Sequence, residues 1–298
     1  MKTKAKGVRA AAAALLAVFG IVLFLPLFAG ASAAEASAAE AEAHYCDDGY
    51  YDEGYGGEGQ SAPASYTIDY DYYVEHREYY VSAAPSYSAV SNEQTNNCAS
   101  KAGANIIGYY DRYYPELIPD FEPGYLYPNN AYLYYPSLFP ELEDLITALY
   151  YMMNTNVTAP GATEQDFKDG LTEYVEDHGY DIGFSSFHNN STSVNYTAVQ
   201  QMVQQKKVGV LLCSKYNFVF SINHLSSGNS TLISKRNYNI SHMMMVYGYL
   251  IIDYYKDGSC IASETYLQVS SGFADGSQGY IKMNDYLTID NALVVSIS

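Results

Sequence analysis

From residue 98 onward the chain changes its hydrophobic period once, and that change does most to limit the folds open to it. Between residues 98 and 205 small and apolar side chains recur at three- and four-residue intervals; beyond residue 208 they gather in short aliphatic and aromatic runs. The first pattern lays one helical face on a core, and the second suits strands. One helix is predicted from Cys98, with Ala99, Ala102, Ile106, Ile107 and Tyr110 inward and Asn96 and Asn97 as caps. A second has Pro140 near its first turn and carries Leu142, Leu145, Ile146, Leu149 and Met153. A third takes Thr163 as its cap and Asp166 three residues on. It buries Phe167, Leu171, Tyr174 and Val175 and stops at Gly179. A fourth covers about residues 196–205, with Val199, Met202 and Val203 inward. Strands are predicted at 208–213, 216–222, 243–252, 266–270, 279–283 and 292–297, with Lys256-Asp257-Gly258 as a hairpin turn. Helices first and an antiparallel sheet second make an α+β fold, not a doubly wound α/β one.

The residues before this domain fall into two pieces. Lys2, Lys4, Lys6 and Arg9 precede an apolar run over residues 10–29, and Ala29-Gly30-Ala31 and Ala31-Ser32-Ala33 follow as small-residue cleavage patterns. Residues 1–33 therefore read as an export signal. The run is also long enough to span a bilayer, so an uncleaved membrane anchor fits it too. In both cases the rest of the chain is expected outside the cytoplasm, secreted or at the cell surface, and the membrane is met only through this N-terminal segment. Residues 34–90 are rich in Ala, Glu, Gly and Tyr and read as an acidic linker or pro-segment, with one or two strands between residues 66 and 81. Gly54-Tyr55-Gly56-Gly57-Glu58-Gly59 matches a dinucleotide fingerprint in letters only, since no apolar strand precedes it and no helix pattern follows. The folded domain is expected at 91–298, a length suited to one core.

Charge narrows the partners. The formal net charge is -18, which repels a phosphate backbone, so no nucleic acid is expected. The 34 tyrosines, with no tryptophan, give contact area with a polar tip. Residues 113–140, rich in Tyr and Pro, are expected either to wall a substrate groove or to serve as a structural crossover. No HExxH, calcium loop or P-loop occurs, and no metal or other cofactor is called for.

The candidate chemistry lies in one cysteine and one histidine. Cys46, Cys98, Cys213 and Cys260 are widely spaced and form no CxxC, though an exported chain could pair them. Cys213 sits in an apolar run and reads as a buried thiol. Cys98 opens a helix, where the dipole and free N–H groups favour a thiolate by about 1 kcal/mol. Of the six histidines, His242 stands at the lip of the apolar strand Met243-Met244-Met245-Val246, where it can face a helix packed on the sheet. His188 and His224 are expected in Asn/Ser-rich loops and are assigned no chemistry.

These motifs carry a resemblance. The helix opening Asn97-Cys98-Ala99-Ser100-Lys101-Ala102-Gly103-Ala104-Asn105, the later His242 strand and the segment Gln268-Val269-Ser270-Ser271-Gly272-Phe273 resemble the papain-like cysteine peptidases. The bacterial branch related to bacteriocin-leader peptidases, family 39 of cysteine peptidases, is closest, and the streptopain-like branch is a second relative. The resemblance covers about residues 91–298. It implies a helical half bearing the Cys helix packed on an antiparallel sheet bearing the His, and a peptide or protein substrate. It makes Cys98 the nucleophile and His242 the base. The oxyanion is then held by the Cys98 N–H and a side-chain amide upstream, at Gln94 or Asn92. Ser271 stands nearest the place of the Asn or Asp that orients the imidazole, and Asp275 is the nearest carboxylate. Ala99-Ser100 replaces the Gly-Pro of the closest branch. With those departures a non-catalytic surface or binding protein that keeps the fold is the alternative to a peptidase.

Overall fold

The computed structural model describes residues 61–76, 79–87, 94–121, 132–134, 140–226, 228–273 and 278–298, all within the unit Asp48–Ser298. The expected export segment 1–33, the glycine motif at 54–59, Asn92 and Asp275 lie outside the described residues.

The four helices fall where the three- and four-residue spacing puts them. They are α1 (Cys98–Asp111), α2 (Pro140–Met152), α3 (Glu164–Asp177) and α4 (Tyr196–Gln204). The α3 start is a capping box: Thr163 Oγ1 accepts from the Asp166 N–H at 3.1 Å, and Asp166 Oδ2 accepts from the Thr163 N–H at 3.2 Å. It ends at Gly179, whose φ of +82° closes the helix in the left-handed region. α1 is different. Asn97 occupies its cap position but makes no side-chain cap bond, so the expected capping by Asn96 or Asn97 is not found. Almost every residue of α1 is buried, which identifies it as the central helix of the core rather than an amphipathic surface one. Its small residues allow this: a methyl group at Gly103 would meet Met153 Cε at 2.9 Å, and at Gly108 the Tyr87 hydroxyl at 1.9 Å.

The β half follows the expected order with extra pieces. In chain order the strands are β1 (Ala64–Asp69), β2 (Tyr72–His76), β3 (Pro85–Tyr87), β4 (Tyr132–Tyr134), β5 (Ile182–Ser186), β6 (His188–Asn190), β7 (Ser193–Val194), β8 (Val208–Leu225), β9 (Ser230–Tyr238), β10 (His242–Lys256), β11 (Ser259–Ser270), β12 (Gln278–Lys282) and β13 (Thr288–Ile297). The fold is α+β, and every pairing in its main sheet is antiparallel. The strands expected separately at 208–213 and 216–222 are one strand of 18 residues, β8. Ser214 and Lys215 do not break it, because β13 pairs through Lys215 and β9 takes over at Tyr216. β10 and β11 run further than expected, to a turn at Asp257 (φ 50°) and Gly258 (φ 76°). Two positive φ values make this the tight hairpin whose twist matches the strands.

The length of β8 closes the sheet on itself. Its first half pairs with the start of β10, and its second half with β12; β12 pairs with β11, and β11 with β10. The ring encloses a core of its own, with Val219, Ile233, Leu250, Ile252, Tyr254 and Tyr266. The main core lies between helices and sheet and joins Ile106, Leu149, Phe167, Leu171, Val210, Met244 and Met245.

Residues placed in the linker belong to this sheet. β1 pairs with β9 and β2 with β10, and each is an edge strand, as is β5 beside β13. Tyr70, between β1 and β2, is buried in the ring core. The folded domain thus begins upstream of residue 91, at or before residue 61. The early strand signal at residues 66–81 was the correct part of that reading. In the Tyr- and Pro-rich segment, Leu117 and Ile118 are buried in the main core, so its described first part packs inward rather than lining a groove. Among the described residues Cys98, Cys213 and Cys260 form no disulfide. Among the described residues no helix is long and apolar enough to cross a membrane.

Candidate functional site

The site forms where the first turn of α1 meets the start of β10 and the end of β11. Register brings the strand residues together. Met245 of β10 faces Ser270, the last residue of β11, so an antiparallel continuation carries residues 271–273 toward His242. The continuation turns at Gly272, whose φ of +68° suits a residue without Cβ. A methyl group there would lie 3.3 Å from Lys101 Cβ, so the first turn of α1 packs directly on this turn. Cys98, half-buried, opens the same helix.

His242 is held from two sides. Its Nε2 lies 2.8 Å from the backbone oxygen of Ser271. A carbonyl oxygen only accepts, so Nε2 carries the hydrogen and donates it, and in the neutral imidazole the lone pair is then on Nδ1. The Phe273 ring stacks on the imidazole with centroids 4.8 Å apart and planes 15° from parallel. Tyr216 lies beyond at 6.0 Å, and Tyr238 stacks on both Tyr216 and Phe273. His242 is 6% exposed and Ser271 fully buried, so the Nε2–H···O bond is kept from water, where it is stronger.

Ser271 meets His242 through its backbone. Its main-chain carbonyl receives the imidazole, and Oγ accepts the Phe273 N–H at 3.1 Å and braces the turn. The other expected residues are less clearly grouped. Gln94 Nε2 donates to Thr147 Oγ1 on α2 at 2.8 Å, which ties the segment before Cys98 to that helix. Asn97, directly before Cys98, is 4% exposed, and its Oδ1 is buried without a hydrogen-bond partner.

Cys98 and Cys213 stand in different surroundings. The first turn of α1 has no acidic residue, and Lys101 follows one turn on. Cys213 faces His242 across the β8–β10 ladder, with Sγ 3.8 Å from the His242 oxygen. Burial first, then the charges of Asp290 and Cys98, push its thiol well above the ordinary range, which leaves it inert. Among the described residues no group of three or more His, Cys, Asp or Glu is placed to hold a metal ion.

Phe273, Tyr216 and Lys101 belong to this environment and received no role from the sequence. Only Phe273 left a legible trace, an aromatic residue two positions after Ser271. His224 is not in a loop: it lies in β8, stacks on Tyr73 at 3.9 Å and places Nδ1 2.7 Å from Thr231 Oγ1.

No known family, characterised protein or solved structure matches this chain.

Proposed function

We propose that this chain is an exported, papain-like cysteine peptidase that cleaves peptide bonds with Cys98 as nucleophile and His242 as base. The observation that carries the reading is the 2.8 Å bond from His242 Nε2 to the Ser271 carbonyl, in a turn packed against the helix that Cys98 opens. It fixes the tautomer in which Nδ1 can take the thiol proton.

The chemistry then balances in two halves. The Cys98 sulfur attacks the amide carbonyl while the imidazole holds the proton at Nδ1. The oxyanion is received by the Cys98 N–H, with a side-chain amide from the preceding segment as the second donor. The imidazolium gives its proton to the departing amine, and a thioester remains. Water attacks the thioester, returns a proton to Nδ1, and the thiolate leaves as the acid product forms. Throughout, the Ser271 carbonyl stabilises the imidazolium as a neutral acceptor, without the charge of a carboxylate.

Alkylation of Cys98 against pH tests the proposal, with Cys213 as an internal control. Reaction persisting well below the range of an ordinary thiol (~8.5), lost in His242→Ala, is the expected result. An ordinary profile for Cys98 in the folded protein refutes it. The burial of His242 under Phe273 favours a second reading, a binding protein that keeps the fold. In that case Cys98→Ala binds its partner as the parent does, and no peptide is cut.

A further inference from the structure

Residues 79–87 run between the two halves of the fold, and groups from both halves hold their backbone. The segment starts along β10: the Tyr249 N–H donates to the Tyr79 oxygen at 2.9 Å, and the Val81 N–H to the Tyr247 oxygen at 2.8 Å. Gly248 admits it there, since a methyl group would lie 2.5 Å from both the Tyr79 oxygen and Tyr80 Cβ. The carbonyl oxygens of residues 82–85 are then each received by a side chain. Arg112, directly after α1, donates from Nη1 to the Ser82 oxygen at 3.0 Å and from Nη2 to the Ala83 oxygen. Gln278 Nε2 of β12 donates to the Ala84 oxygen at 2.9 Å, and Ser270 Oγ of β11 to the Pro85 oxygen at 2.5 Å. Ser270 and Gln278 face each other in the β11–β12 register, so one cross-strand pair grips two successive peptide groups. Ala83 is held at φ 56°, a left-handed conformation that an alanine keeps only where its surroundings enforce it. Last, the Tyr87 N–H donates to Asn105 Oδ1 of α1 at 2.8 Å. Asn105 Nδ2 donates to the Lys101 oxygen at 2.9 Å, which fixes the orientation of that amide.

Both sides of this clamp lead to the candidate site. Ser270 is followed in the chain by Ser271, whose carbonyl receives His242 Nε2. Asn105 lies about two turns along the helix that Cys98 opens. We infer that residues 79–87 are a strap that sets the spacing of the Cys98 helix and the His242 turn, with Ser270 as a positioning residue for the Ser271 carbonyl. This deepens the peptidase reading, on which its catalytic meaning rests. Ser270 and Asn105 are fully buried, so their bonds to the strap are costly to leave unmade. The strap falls within the stretch that reads as a linker or pro-segment. It makes that stretch a working part of the site: a cut within residues 79–87 removes support from His242 instead of releasing an inhibitor.

The test is the exchange of the His242 ring hydrogen with water, followed by NMR in the full chain with isotope-labelled histidine and assigned by its absence from His242→Gln. Ser270→Ala should speed that exchange by about tenfold and slow Cys98 carbamidomethylation near neutral pH, because the turn loses its tie to Pro85. Arg112→Met, at the exposed end of the strap, should speed it in the same direction by a smaller factor. Thr163→Ala loosens the domain through α3, away from the strap, and should leave the exchange at the parent rate. Parent exchange in a folded Ser270→Ala, or an equal acceleration in Thr163→Ala, overturns the inference. If Ser270→Ala does not fold, Arg112→Met decides, and parent exchange there overturns it. The two proposals fail separately. A strap-dependent ring hydrogen beside an ordinary thiol profile at Cys98 refutes the peptidase alone. A depressed thiol profile beside a ring hydrogen indifferent to Ser270 and Arg112 refutes only the strap.

Discussion

Asp111 ends the helix that Cys98 begins, and it should make the stability of the whole domain fall as pH rises toward neutrality. Its side chain is 4% exposed, and Oδ1 accepts the Ile118 N–H at 2.9 Å, closing the loop after α1. Tyr174 donates to the Leu117 oxygen beside it at 2.7 Å. Burial pushes the Asp111 carboxyl up from 3.8 to about 7, against the lowering effect of the Ile118 hydrogen bond. The folded value lies above the unfolded one, so between them the native protein holds a proton that the unfolded chain has released. The contribution is therefore fully present below about pH 4 and lost as pH rises through about 7. Three units correspond to roughly 4 kcal/mol at most, a large part of a domain's stability. Asp111→Asn keeps the Oδ1 acceptor and removes the titration. Urea unfolding at about pH 5 and about pH 8 should show the parent losing roughly 3 kcal/mol relative to Asp111→Asn across that interval. Opposing slopes from carboxylates such as Asp166, which the Thr163 hydroxyl holds below the usual range, are common to both proteins and cancel in the difference. Parallel stability curves for the two would refute the burial argument.

Three further outcomes follow from specific contacts. Phe273→Ala removes the ring stacked at 4.8 Å on His242 and should slow Cys98 labelling about tenfold while the melting temperature changes little, since Phe273 is only half-buried. Thr163→Ala breaks the capping box of α3 and should cost about 1 kcal/mol in urea unfolding, whereas Asn97→Ala, which loses no cap bond, should cost clearly less; equal losses would contradict the cap assignments. Gly108→Ala drives a methyl into the buried Tyr87 hydroxyl and should destabilise by about 1–3 kcal/mol by the same measurement.

What could be read from the amino acids alone was local. The spacing of Leu142, Leu145, Ile146 and Leu149 placed α2, Thr163 and Asp166 placed the start of α3, and Asp257-Gly258 placed the hairpin turn, because each depends on residues within one or two turns of chain. The α+β class followed from the order of those patterns. β9 was not visible, since its Ser-Thr-Leu-Ile-Ser-Lys-Arg sequence becomes a strand only when β8 and β1 flank it. β1 and β2 were legible as one or two strands between residues 66 and 81, but only their pairing with β9 and β10 makes them part of the main sheet rather than of a linker. At the candidate site, Cys98 and His242 are singled out by the sequence because thiol and imidazole are rare side chains at telling positions. The group that orients His242 is a main-chain carbonyl, which every residue possesses, so only the β10–β11 register and the turn at Gly272 could single out that of Ser271.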